Sequence, residues 1–154
     1  LKLPYIELDA LYWDENWTGV SDPIFRERVM SAVRAEQWVI DGNYSRIRSL
    51  VWDRADTVVY LDYSFWRTFW QLFMRTVNRS IRQEELWHGN RENLHKSLFS
   101  SDSIMLWMLK SYKRRRKKYA MLMQRPEYVH LCFVQLKTPR MTRAWLSSLT
   151  TIAN

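Results

Sequence analysis

The chain has 154 residues, of which 47% are hydrophobic and 26% charged, a globular composition that excludes a disordered polymer and predicts a single domain with a real core. No apolar run reaches the length needed to cross a bilayer, and one cysteine, Cys132, excludes an internal disulfide and most thiolate metal sites. The formal net charge of +8 is unevenly placed, concentrated in the 110–118 run KSYKRRRKK and in the arginines from Arg75 to Arg91, so two basic zones are available to a nucleotide phosphate, a nucleic-acid backbone or a membrane surface.

The opening LKLPYIELDALYW lacks a basic segment followed by an apolar one, so no signal peptide is expected and the setting reads as reducing and cytoplasmic. Residues 3–9 predict a short strand ending in Asp9, followed by an aromatic loop with Trp13 and Trp17. Asp22-Pro23 marks a helix start, and Phe25, Val29, Ala32 and Val33 recur at helical spacing. That helix leads into a strand over 38–41. Gly42-Asn43-Tyr44-Ser45 is a turn by composition, and a short helix carrying Arg46, Arg48 and Trp52 precedes a strand over 57–62.

A helix over 65–80 has Phe65, Phe69, Phe73 and Val77 at four-residue steps, which predicts its core face, and Arg75 and Arg79 leave it on one side. Residues 81–98 have no sustained apolar stripe and read as a mobile, lid-like segment. A helix over 104–123 begins apolar and turns basic, Pro126 follows, 128–136 is a continuous strand, and 142–149 is a closing helix. Continuous apolar strands separated by helices predict an α/β fold with one parallel sheet covered on both faces.

Asp9, Asp41 and Asp62 each follow an apolar run. In one parallel sheet these strand ends share an edge, where carboxylates can hold Mg²⁺ or orient a hydroxyl; otherwise each ends a strand or caps a helix, Asp62 above all. Arg48, Arg75, Arg79, Arg82 and Arg91 suit an electropositive lid, because a planar guanidinium takes phosphate oxygens in pairs, although a solvated helix face uses the same residues. The 113–118 cluster reads as a solvated helix end. His88, His95 and His130 have no spacing suited to a metal, and most of the nine tryptophans read as packing.

The blocks ELDALYW, WVIDGNYSRIR, ADTVVYLD, RTVNR, ELWHGNRE and KRRRKKY, in this order, resemble the adenylate-kinase-like P-loop proteins, a group that includes DNA topology modulation proteins and small uncharacterised kinases. The resemblance covers nearly the whole chain. It implies an ATP- and Mg²⁺-dependent phosphotransferase acting on a nucleotide or other small hydroxylated molecule, with nucleic-acid binding by the basic surface as the alternative and no membrane partner. Asp41-Gly42-Asn43-Tyr44 matches the acceptor-side turn and, with Arg48, would bind the acceptor. Asp9, Arg75 and Arg79 would be catalytic, Arg82 and Arg91 would hold phosphate from the lid, and Asp41 would contact the metal.

The departure is the donor side. Three glycines, Gly19, Gly42 and Gly89, and no G-x-x-x-x-G-K-[ST] pattern leave the phosphates of ATP without a cradle. The chain reads as the family fold without its first ~30 residues, about one βα unit. The strand that the family places there is central, so two inner strands are expected to have unpaired edges, and the chain is expected to be inactive toward ATP and weakly stable.

Overall fold

A computed structural model describes residues 3–92, 100 and 103–152. The chain divides into two compact units: unit 1 comprises Leu1–Asp56 and Glu85–Asn90, and unit 2 comprises Thr57–Glu84 and Arg91–Asn154.

Unit 1 is built on two parallel strands, β1 (Tyr5–Glu7) and β4 (Val39–Asp41), paired Tyr5↔Val39, Ile6↔Ile40 and Glu7↔Asp41. Between them come helix α1 (Leu8–Tyr12), a small antiparallel hairpin of β2 (Trp13–Asp14) and β3 (Thr18–Gly19), and helix α2 (Asp22–Ala32). Pro23 sits in the first turn of α2, where its missing N–H costs nothing. Buried Phe25 and Val29 point from α2 into a core shared with Leu8, Val33 and Ile47, and with Val51 and Trp52 of α3 (Arg48–Trp52).

The hairpin turn holds Asn16 and Trp17 at φ of 55° and 57°, a left-handed conformation that L residues adopt at a cost of about 1–3 kcal/mol each. Asn90 offsets that cost. Its buried side chain accepts from the Trp17 N–H at 2.7 Å and donates to the carbonyls of Asp14 at 2.8 Å and Trp87 at 2.7 Å.

Unit 2 pairs β5 (Thr57–Leu61) with β6 (Cys132–Leu136), parallel and in register from Thr57↔Cys132 to Leu61↔Leu136. Its helices are α4 (Phe65–Arg82), α5 (Ile104–Leu122) and α6 (Pro139–Ile152). Ser103 caps α5, its Oγ accepting from the Leu106 N–H at 3.2 Å. Gln83 ends α4 in the left-handed region, and its side-chain amide donates to the Ser80 carbonyl at 2.7 Å.

The class is mixed α/β with small parallel sheets. Instead of one sheet covered on both faces, the described residues form three separate two-stranded sheets. Val39 of β4 and Val59 and Leu61 of β5 are exposed, although the unbroken apolar runs around them predicted cover on both sides. The predicted stripe of α4 is only half-buried. A strict four-residue step drifts by about 40° per step, so the stripe winds off the interior face, and Thr76 and Ser80 occupy that face.

Of the lid-like stretch 81–98, residues 81 and 82 complete α4, Trp87–Gly89 form a 3-10 turn within unit 1, and 93–98 lie outside the described residues, His95 among them. Among the described residues no helix is long and apolar enough to cross a membrane.

Candidate functional site

Parallel pairing sends the chain out of β1 and β4 at the same end. After β1 it coils into α1, because buried Leu8 and Tyr12, which stand one turn apart, both pack inward; Asp9 is therefore a helix residue and not a strand end. After β4 it turns through Gly42, whose φ is +133° and whose place could not hold a Cβ, since one built there would lie 2.6 Å from the Leu8 Cβ. Glycine lets this turn press on α1. The Tyr44 hydroxyl thereby donates to Asp9 Oδ1 at 2.5 Å. Burial, reinforced by the hydrogen bond and charge of Asp9, pushes the Tyr44 phenol well above its ordinary pKa, so it stays a proton donor.

Tyr12, Phe25 and Tyr44 meet at centroid distances of 5.2, 5.1 and 4.9 Å and form an aromatic cluster beside this pair. The Arg46 guanidinium lies 4.5 Å from the Tyr12 ring centre, 5.5 Å from Phe25 and 5.7 Å from Tyr44, and Asp22 pins it at 2.5 Å. On the neighbouring strand, Glu7 accepts from the Trp87 indole N–H at 3.0 Å, and Trp17 stands between Trp13 and Trp87 at centroid distances of 5.8 and 6.3 Å. A carboxylate, a phenol donor and a guanidinium on an aromatic wall suit a ligand with hydroxyl groups and a flat ring.

The structure thus gathers Asp9, Gly42 and Tyr44. Asp41 is exposed beside them and accepts from the Tyr5 hydroxyl at 3.5 Å, and Asn43 is exposed in the same turn. Arg48 stacks on Trp52 at 5.3 Å. Arg75, Arg79, Arg82 and Arg91 belong to unit 2. Arg75, Arg82 and Arg91 are exposed. Arg79 is paired with Glu92 at 3.3 Å and Glu84 at 3.8 Å, so its charge is already engaged within the fold.

Asp62 does not share an edge with Asp9 and Asp41, since it lies in unit 2 on a separate strand pair. Its buried carboxylate accepts from Arg116 Nε at 2.7 Å and Nη2 at 3.0 Å, from Gln135 at 2.8 Å and from the Tyr60 hydroxyl at 3.4 Å. Arg116 of the basic run is therefore a structural partner and not simply part of a solvated helix end.

Among the described residues no group of three or more His, Cys, Asp or Glu is placed to hold a metal ion. With no such group at Asp41 and no glycine-rich lysine loop in the sequence, the residues present do not fit a Mg²⁺–ATP donor. Tyr12, Arg46, Trp87 and Asn90 were given no site role from the sequence. Arg46 follows the DGNYS block directly, and Trp87 and Asn90 sit in the ELWHGNRE block, whose residues 85–90 belong to unit 1 where a lid was expected.

No family model, no curated protein and no solved structure matches the chain.

Proposed function

We propose that unit 1 is the acceptor-binding part of a phosphotransferase of the P-loop nucleoside-kinase type, and that this chain does not itself transfer phosphate from ATP. One observation supports the reading above all. The β1–β4 register and Gly42 bring the ELD and DGNY blocks, which lie more than thirty residues apart, into one hydrogen-bonded site at Asp9 and Tyr44. Tyr44 occupies Asp9 Oδ1, which leaves the other carboxylate oxygen to receive an acceptor hydroxyl, while the Arg46–Tyr12 platform offers stacking and charge to a nucleotide.

The test is a titration of the full chain with the common nucleoside monophosphates, followed by calorimetry and tryptophan emission, alongside an ATP-turnover assay. Saturable binding tighter than about 1 mM is expected for at least one of them. Asp9→Asn and Tyr44→Phe should each weaken it by roughly tenfold, or about 1.4 kcal/mol, with an unchanged circular dichroism spectrum. ATP turnover should stay at background. Absence of monophosphate binding, or turnover of ATP by the purified chain, overturns the reading.

A further inference from the structure

Helix α4 divides its apolar residues between two faces. Phe65, Phe69 and Phe73 are half-buried, whereas Trp66 is 75% exposed, Trp70 60% and Ile81 72%, with Met74 exposed between them. At 3.6 residues per turn these four side chains leave the helix within a sector of about 80°. An open stripe of this kind marks an interaction surface more often than chance exposure. Exposed Arg67, Arg75 and Arg82 flank it on the polar side of the same helix. The whole of unit 2 is strongly cationic, with 17 Lys and Arg against 5 Asp and Glu, a net of +12, while unit 1 has 7 against 11, a net of −4.

We propose that α4 seats on the surface of an anionic lipid bilayer. Trp66, Trp70, Met74 and Ile81 enter the boundary between headgroups and acyl chains, and the cations of unit 2 face the anionic headgroups. Tryptophan favours that boundary because its ring is apolar and its N–H stays hydrogen-bonded, and a helix with an apolar stripe beside a cationic face lies in the interface plane. Charge selects this occupant over a second copy, since two surfaces of net +12 repel. The stripe itself selects lipid over nucleic acid, because Met74 and Ile81 offer no face on which a base stacks. This revises the expectation from the sequence that no membrane takes part. It uses only residues of unit 2 and stands apart from the acceptor-site reading.

The full chain should co-sediment with equimolar phosphatidylglycerol–phosphatidylcholine vesicles and only weakly with phosphatidylcholine alone, with a blue shift of tryptophan emission and weaker binding at high salt. The doubly substituted Trp66→Gln/Trp70→Gln chain should lose roughly tenfold or more in partitioning, and Ile81→Gln should lose a smaller factor, so the second variant serves if the first fails to fold. No partitioning into the anionic vesicles overturns the proposal. So does partitioning that both variants leave unchanged, or binding to a single-stranded oligonucleotide that displaces the vesicles and is lost in the same variants.

Discussion

The ion pair between Asp62 and Arg116 joins two unequal partners. The Asp62 side chain is 4% exposed, while that of Arg116 is 50% exposed. Removing the arginine strands a buried carboxylate that retains only Gln135 and Tyr60, whereas Asp62→Asn leaves a guanidinium that water can reach. Arg116→Ala should therefore destabilise unit 2 by about 2–3 kcal/mol and Asp62→Asn by about 1 kcal/mol, the reverse of the order that exposure alone suggests. Urea unfolding of both variants checks the order.

Tyr60 adds a pH dependence. Burial, and then the charge of Asp62, push its phenol up to about 12. The folded state keeps a proton that the unfolded chain releases near pH 10, so this contribution is complete below about pH 10 and fades as pH rises toward 12. Stability measured from pH 8 to 12 should fall less steeply in Tyr60→Phe than in the parent chain.

At the level of elements, local sequence signals were sufficient for the longer helices, whereas α1, expected as a strand end and aromatic loop, was missed, and α6 extends three residues beyond the expected 142–149 at each end. Asp22-Pro23 placed the start of α2, the apolar-to-basic run placed α5 to within a residue, and the unbroken apolar runs at 38–41 and 57–62 placed β4 and β5. Pairing was not legible, because which strand finds which depends on contacts across long sequence separations that no local period encodes. The site was legible in part for the same reason. Gly42 and Tyr44 stand in a recognisable turn, but the collision that makes glycine necessary involves Leu8, more than thirty residues away.

Ser103 illustrates the local case. Its Oγ accepts from the Leu106 N–H and its side chain is shielded from water, so Ser103→Ala should cost about 1 kcal/mol and lower the melting temperature by about 2–4 °C in a thermal scan.

At the scale of the whole molecule, charge is partitioned along with structure, and the fold of unit 1 depends on a short segment that returns late. Asn90 supplies two hydrogen bonds to a hairpin more than seventy residues earlier in the chain, and a third to Trp87 holds its own amide in place. Asn90→Ala should free the left-handed hairpin turn and speed exchange of the Trp17 amide about thirtyfold, equivalent to about 2 kcal/mol of local stability, with little change in the amides of β5 and β6. Hydrogen exchange measured residue by residue makes that comparison.

The path of the chain through unit 1 also sets an order of events during synthesis. A ribosome that has released Asp56 has delivered β1, β4 and every helix of this unit, yet the indole that meets Glu7 and the amide that ties the hairpin are still to come, behind β5 and all of α4. The first unit to emerge therefore cannot close as soon as its strands and helices are made; it closes only once residue 90 has followed, still ahead of unit 2, whose β6 comes later. Until Glu85–Asn90 leaves the exit tunnel, the nascent unit 1 waits with its hairpin untied while α4 is made.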